Sequence, residues 1–303
     1  MILRYHNLTR MCLRITALLI CTVTCASAQM AGTLTLVDGK VALVRGATVY
    51  AIAEGAKVQA GDILHTDAKG QAQIEVQGGL RFNLGPTTQL LLLNLPGGRG
   101  DTDLVVLTGW VKFALKKSDT GALRFHTPTT QILAEDGTGV LHAGSNVVEI
   151  YVETGAVKLT EMGKQGAAGS VRSIKGGNFT GRTGEQPAVT AERPPPRFVG
   201  AMPRHFQDNL HVLVDRFKNK TVEPKREHEA TYAEVEAWLK AGLPVRRTFV
   251  NRFQARARDT DFRKGLVENL RAHPEWDPVL FPEKYRKPDN RPTNDAQEEG
   301  DRK

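Results

Sequence analysis

Apolar and polar side chains alternate with a period of two residues over much of the stretch between positions 34 and 182. The alternating runs are residues 41–43, 72–76, 80–84, 111–115 and 148–152. Such alternation places one face of a strand in a core and the other in water. Turns that contain glycine, such as those at Gly55, Gly61 and Gly70, separate the runs. The pattern predicts a mainly β domain over residues 34–182, built as a solenoid-like roll, a sandwich or a barrel.

The spacing of apolar residues becomes helical after position 203. One stripe, at steps of three and four, predicts a helix and consists of Phe206, Leu210, Leu213, Val214 and Phe217. Thr231 and Glu234 have the spacing of a capping box, which opens a second helix. Further stripes predict helices over residues 245–258 and from Asp259 onward. We expect residues 203–285 to form a small α-helical region in which the later helices pack against one another.

A proline run lies between the two patterns. Residues 193–197 read Arg-Pro-Pro-Pro-Arg, and consecutive prolines favour extended polyproline geometry. The sequence therefore predicts a proline-rich linker over residues 193–202 between two independently stable parts. Residues 286–303 are charged, contain proline and lack aromatic side chains, so this tail is predicted to be disordered.

The first 28 residues have the layout of a cleavable signal peptide. Arginines and no acidic residues accompany the apolar stretch 15–23, which is shorter than the roughly 20 residues that span a membrane. Ala26 and Ala28 give the small-x-small pattern of a cleavage site. Lipoprotein processing at Cys25 is the alternative, and it fits less well because residues 22–24 do not form a lipobox. We expect a periplasmic or secreted protein after cleavage near Ala28.

Composition adds two points to this picture. All three cysteines, Cys12, Cys21 and Cys25, lie within the predicted signal peptide, so no disulfide or thiolate metal site is expected after it. Residues 29–192 carry 15 basic and 15 acidic side chains, whereas residues 193–303 carry 23 and 18. The basic excess therefore belongs to the helical region and its tail, and the β domain is neutral.

A series of motifs in the β domain resembles, in the same order, the FecR domain family. The motifs are Gly39–Val41, Gly61–Thr66, Gly70–Ile74, Leu84–Leu90, Leu107–Phe113, Phe125–Pro128, Asp136–Thr138 and Val148–Leu159. The resemblance implies a β-rich, solenoid-like periplasmic module. It also implies a role in signalling or protein contacts, without catalytic residues.

Two features depart from the best-known FecR proteins, which are membrane-embedded regulators of sigma factors. Those proteins carry a cytoplasmic helical segment and a membrane-spanning helix before the domain, whereas a predicted cleavable signal precedes it here. Residues 135–138 read Glu-Asp-Gly-Thr where the family usually has Val-Arg-Gly-Thr. These departures favour a role within the envelope over direct control of a sigma factor.

Trp110 is the candidate contact residue of the β domain. It lies on the strand face opposite Val111 and Phe113, where its ring could stack on a sugar; packing at a sheet edge is the alternative. In the turn at Gly61, we expect the Asp62 carboxylate to cap nearby amides and not to bind a ligand.

A run of basic residues in the helical region is the second candidate surface. The helix predicted over residues 245–258 carries Arg246, Arg247, Arg252, Arg256 and Arg258. These side chains could form a band that contacts an anionic membrane surface or an acidic envelope protein; a solvated helix face is the alternative. Nucleic acid would suit the charge. It is not the expected partner, since an exported protein rarely meets it and the sequence shows no nucleic-acid recognition motif.

The sequence carries no recognisable enzyme signature. It lacks the Gly-x-Ser-x-Gly and His-Glu-x-x-His patterns, and its histidines are scattered, although His126 and His142 could meet across strands. Paired carboxylates for sugar cleavage would come together only in the fold. We therefore predict a non-catalytic exported envelope protein, without cofactor or metal, that acts as a protein-interaction or signalling module. The alternative is a peptidoglycan- or carbohydrate-binding protein or, favoured less, a sugar-cleaving enzyme.

Overall fold

The computed structural model describes residues 32–96, 100–116, 121–163, 166–220 and 222–286. The predicted signal peptide, residues 1–28, and the predicted tail from residue 287 onward lie outside the described residues. Within the described ranges the chain is mainly β-structure, and its strands form one mixed sheet followed by short helices. The predicted fold class is therefore confirmed. None of the described helices has the length and apolarity needed to cross a membrane.

Sixteen strands make up the described part of the sheet. They are β1 (Gly32–Asp38), β2 (Val41–Arg45), β3 (Thr48–Ala51), β4 (Lys57–Val58), β5 (Ile63–Thr66), β6 (Gln71–Val76), β7 (Arg81–Leu84), β8 (Gln89–Asn94), β9 (Thr102–Leu115), β10 (Leu123–His126), β11 (Thr130–Ala143), β12 (Val147–Met162), β13 (Ala168–Lys175), β14 (Phe179–Thr183), β15 (Val189–Ala191) and β16 (Lys225–Glu229). The helices are α1 (Pro196–Ala201), α2 (Tyr232–Leu239), α3 (Leu243–Phe253), α4 (Thr260–Glu268) and α5 (Asp277–Leu280).

Strand β9 is fourteen residues long and joins two parts of the sheet. Its first half pairs with β8 and β10, and its second half pairs with β7 and β11. The change falls at Gly109, whose φ of 102° lies where side chains other than hydrogen are strained. A Cβ atom at this position would come within 2.4 Å of the Cα atom of Thr88. Glycine therefore permits both the backbone conformation and the close approach at this junction.

The alternating runs of the sequence supply the main core. Leu43, Ile74, Phe82, Phe113 and Ile150 come from the five predicted runs, and all of them are buried in one apolar cluster. Their neighbours along each strand point to the opposite face, as a period of two requires. The inward faces predicted from the sequence are thus confirmed.

Residues 230–286, which we call the helical cap, cover the outer face of one part of the sheet. Val44 and Ile63, from β2 and β5, share a second apolar cluster with Trp238 and Phe253 of the cap. The strands that carry these residues are therefore buried on both faces. The helices pack on the sheet as well as on one another, which corrects the expectation of a separate small bundle.

The start signals of the cap helices are confirmed. Thr231 and Glu234 form the predicted capping box of α2, and the Asp259 side chain accepts a hydrogen bond at the start of α4. The helix expected over residues 245–258 is α3, which continues as a 3-10 helix at Gln254–Arg258. Local sequence signals therefore determine where these helices begin.

The helix predicted between Phe206 and Phe217 is wrong. The segment forms two short 3-10 turns joined by irregular chain. Lys112 Nζ donates to the carbonyl of Phe206 at 2.6 Å, and Glu75 accepts from the amide of Leu213 at 2.7 Å. Side chains of the sheet thus satisfy main-chain groups that a helix would pair internally, because buried peptide groups need a partner.

The predicted linker over residues 193–202 is packed against the sheet. It contains α1, in which Phe198 is buried between the rings of Trp110 and Phe179, with ring centroids 5.2 and 5.0 Å away. Farther along the chain, β16 pairs with β3. The hydrophobic pattern did not predict β16.

The β domain and the region after residue 193 therefore differ in composition, but they pack against each other.

Candidate interaction surfaces

Arg252 fastens the helical cap to the loops of the sheet. Its guanidinium donates to the main-chain carbonyls of Val44, Gly46 and Gly61 at 2.8, 2.6 and 2.7 Å. It also lies 5.2 Å from the centre of the Phe253 ring, within cation–π range. Burial lowers the pKa of Arg252 to about 10, which still leaves the side chain charged at neutral pH. The charge is used inside the fold and is not offered to a partner.

Asp62 lies in the turn next to this contact and is buried. Its carboxylate accepts two hydrogen bonds from Arg45, at 2.8 and 2.7 Å, and one from the amide of Gln59 at 2.9 Å. The expected role of Asp62 as a cap of its own turn is thus confirmed. The hydrogen bond to Asp62 raises the pKa of Arg45, and the Asp62 charge also favours the charged form of Arg252.

The remaining arginines of the predicted basic band divide into two pairs. Arg246 forms an ion pair with Glu275, with Nε 2.9 Å from Oε1, and Arg256 donates to a main-chain carbonyl at 3.1 Å, so both are held by the fold. Arg247 and Arg258 are exposed. The expectation of one continuous basic surface is therefore corrected. Helical spacing gives the direction of each side chain, but it does not say which main-chain groups lie opposite.

Trp110 does not offer a free ring to a sugar. Its side chain is 8% exposed and packs between His142 and Phe198, with ring centroids at 4.2 and 5.2 Å. The residues of α1, which the sequence assigned to a linker, cover this face of β9. Trp110 is therefore a packing residue, which is the alternative that the sequence left open. It does not belong to an exposed interaction surface.

Glu149 holds the covering segment in place. Its carboxylate lies 3.0 Å from His142 Nδ1 and 2.5 Å from Arg197 Nη1. Burial raises the pKa of Glu149, but hydrogen bonds from His142 and Arg197 outweigh this effect and lower the pKa overall.

His126 and His142, which could have met across strands, lie apart. His126 is 3.4 Å from Asp103 near the start of β9, whereas His142 pairs with Trp110 in the second half of that strand.

His65 and Trp238 connect the sheet to the first helix of the cap. The indole Nε1–H of Trp238 donates to Nε2 of His65 at 2.9 Å, and the two rings are nearly parallel, at 8°. Burial lowers the pKa of His65 to about 4, and the nearby charge of Glu234 opposes this effect only in part. The imidazole is therefore neutral at neutral pH, which is the form that accepts this hydrogen bond.

A groove with a cavity volume of about 610 Å³ opens between the sheet and the helical cap. Val105 and Leu107 of β9 line one side of this cap groove, and Ala237, Ala241 and Val245 line the other. Polar side chains also line the groove, and they include Thr129, Gln131, Glu185 and Lys240. Sequence reasoning missed the groove because its two sides come from regions that the sequence separates.

The side chains of the cap groove are suited to non-covalent contacts with a partner. Lys240 pairs with Glu236 at 2.5 Å, so its charge is matched at the edge of the groove, and His126 Nε2 lies 3.4 Å from Asp103. Within the described ranges, no three His, Cys, Asp or Glu side chains are grouped so that they could hold a metal ion. The groove combines apolar and polar lining residues, the usual composition of a binding site.

Comparison with known proteins relates the central part of the chain to a family. Residues 62–158 match the family model described as FecR protein. This match confirms the resemblance that the motifs indicated, and it covers β5 to most of β12. No curated protein matches the chain at a significant level.

Two crystal structures are similar to part of this chain. They are of a candidate anti-sigma factor from Parabacteroides distasonis, solved at 2.50 and 1.65 Å resolution. Each is 12% identical in sequence, with a TM-score of 0.36, and the match covers 43% of this chain. The chain spans 59% of the length of that protein.

Proposed function

We propose that the chain is an exported, non-catalytic envelope protein whose FecR-like domain binds a protein partner in signalling or regulation. The match of residues 62–158 to FecR protein supports a signalling or regulatory module. Export near Ala28 rests on the signal pattern of the sequence alone. The nature of the partner rests on the cap groove.

The cap groove is the observation that carries this proposal. Its size lies within the range of roughly 300–1,000 Å³ that is typical of binding pockets. The apolar residues that line it can bury an apolar side chain of a partner, while the polar lining residues supply orientation. Binding energy at protein interfaces concentrates in side chains that are desolvated in this way.

A protein partner fits the groove better than a sugar does. Sugars are held by exposed aromatic rings, and Trp110 is covered by α1. The described residues that line the cap groove include no Phe, Tyr or Trp. Its lining is aliphatic with threonine and amide groups, which suits a polypeptide with apolar side chains. Carbohydrate binding is therefore the alternative outcome of the cross-linking test.

The test is site-specific cross-linking in the intact envelope. A photoreactive amino acid placed at Leu107, inside the groove, should capture a defined protein, whereas one placed at the exposed Val267 of α4 should not. Ala237→Trp fills the groove and should abolish capture. Ala255→Trp, at an exposed position of the cap, should leave it intact.

One result would replace this proposal with the alternative. The mature chain would sediment with purified peptidoglycan, Leu107 would give no protein adduct, and Ala237→Trp would release the chain from the peptidoglycan. Capture at both Leu107 and Val267 with equal yield would also contradict the proposal, because contact would then not depend on the groove.

A further inference from the structure

Strand β13 has a free edge that is longer than the free edges of the other described edge strands. Among the described strands, β4, β13, β15 and β16 are paired on one side only. Strand β4 has two residues and β15 has three, whereas β16 is short and reads Lys-Arg-Glu-His-Glu. Short length and charge are the usual protection of an edge against pairing. Strand β13 has eight residues, Ala-Gly-Ser-Val-Arg-Ser-Ile-Lys, with no proline and with Arg172 and Lys175 as its only charged side chains.

The path of the chain explains why this edge stays open. Strands β13 and β14 lie end to end along the same side of β12. Strand β15 then pairs with β14, with Ala191 opposite Phe179, so it runs toward β13. It stops there because residues 194–196 are prolines, which lack the N–H that a continuing strand would donate. The chain continues into α1 instead, so no described strand pairs with the outer edge of β13.

The side chains along the edge indicate what could occupy it. On the outer face of the hairpin, Val171 of β13 is 63% exposed and lies opposite Thr160 of β12. Lys158 and Lys175 flank it on the same face, and both are exposed. The exposed Glu135 lies 3.7 Å from Lys158, which matches only one of these two charges. The surface is thus a strand edge with one apolar position and a local basic charge.

We propose that the free edge of β13 binds an extended acidic segment of a partner protein as an additional strand. The main-chain groups along the edge would pair with those of the segment, in the manner of β-strand addition. An apolar side chain of the segment would pack on Val171, and acidic side chains would lie near Lys158 and Lys175. None of the eight residues of β13 lines the cap groove, and the proposal does not rest on the function assigned to that groove.

A second copy of the chain is the less suitable occupant. Antiparallel pairing of two β13 edges would bring the Lys158 and Lys175 side chains of both copies onto one face, where like charges repel. An interface of one eight-residue strand from each copy also falls short of the roughly 1,200 Å² that stable complexes bury. An acidic partner removes the repulsion and can contribute contacts beyond the strand.

The test uses a short synthetic peptide of alternating glutamate and valine, with a lysine–valine peptide as its control. Hydrogen exchange on the intact mature chain should show new protection of the amides of residues 168–175 with the acidic peptide only. Val171→Ser removes the apolar contact without adding a charge and should weaken binding about tenfold or more. Val189→Ser is the matched control, since Val189 is a similarly exposed valine of edge strand β15, and it should leave the affinity unchanged.

A second experiment reverses the charges of Lys158 and Lys175. The double variant Lys158→Glu/Lys175→Glu should lose the acidic peptide and gain the lysine–valine peptide, which a merely destabilised strand would not do. The proposal is overturned if neither peptide protects β13, or if Ala237→Trp and not Val171→Ser weakens binding, because the peptide would then lie in the cap groove. Protection of β13 without peptide, accompanied by dimerisation in sedimentation, would overturn it in favour of a second copy.

Discussion

Trp238 donates its indole N–H to a neutral His65, and this bond joins the helical cap to the sheet. The pKa of His65 is lowered to about 4 from an ordinary value near 6.5, so the unfolded chain binds a proton between these values and the folded chain does not. Stability is therefore complete above about pH 6.5 and falls as the pH decreases toward 4. Between about pH 7 and pH 5 the expected loss from this group is about 2 kcal/mol.

Urea unfolding of the wild type and of His65→Gln at the two pH values tests this prediction. Glutamine can accept the hydrogen bond but does not titrate in this range, so the variant should lose less stability than the wild type over the same interval. Equal losses in both proteins would mean that other groups, such as the buried carboxylates, account for the whole acid sensitivity.

Arg252 and Arg258 are expected to respond differently to the same substitution. Arg252→Met removes the hydrogen bonds to three carbonyls and leaves that of the buried Val44 without its partner, which should cost about 1–3 kcal/mol. Arg258→Met changes an exposed residue and should alter the free energy of unfolding by about 0.5 kcal/mol or less. Urea unfolding measures both. Similar values for the two variants would mean that Arg252 does not hold the cap.

Gly109→Ala should destabilise the chain much more than Gly46→Ala. Both glycines have positive φ, so both substitutions incur backbone strain of about 1–2 kcal/mol. Only at Gly109 would the new Cβ atom also meet Thr88, whereas nothing lies within 4 Å at Gly46. The difference between the two variants in urea unfolding isolates the close approach from the strain. Equal effects would contradict the packing at this junction.

The strands could be predicted from the sequence because their determinants are local. Alternation placed Phe113 inward, and glycine turns marked the ends of the runs. The docking of the cap could not be predicted, because Ile63 and Leu64 are consecutive apolar residues that face opposite sides and enter different clusters. A continuous apolar pair shows that both faces are buried, but it does not identify what covers them.

The candidate sites depended even more on long-range contacts. The stripe from Phe206 to Phe217 has helical spacing, yet Lys112 and Glu75, distant in sequence, bind its main chain in another conformation. Arg252 was correctly placed on a helix, but the carbonyls that it binds belong to turns of the β domain. The cap groove exists only where these two regions meet, so neither region indicates it alone.

Export is predicted to yield a chain that begins at Gln29. Secretion of the full-length chain followed by intact-mass measurement should give the mass of residues 29–303 without modification. Ala28→Leu should block cleavage because the peptidase requires a small residue there. A diacylated species that begins at Cys25 would contradict the prediction and support lipoprotein processing.

Phe198 is expected to decide whether the segment between the two regions behaves as a linker. In the wild type, the bond after Arg197 lies within α1, and the neighbouring Phe198 is buried against Trp110 and Phe179, so trypsin should cut it slowly. Phe198→Ala removes most of that contact, at a cost of about 3–5 kcal/mol, and should expose the bond. Val199→Ala changes an exposed residue of the same helix and should leave the wild-type rate. Fragment masses after limited proteolysis give the cleavage rate at Arg197. If the wild type is cut there as fast as Phe198→Ala, residues 193–202 form the free spacer that their prolines first suggested.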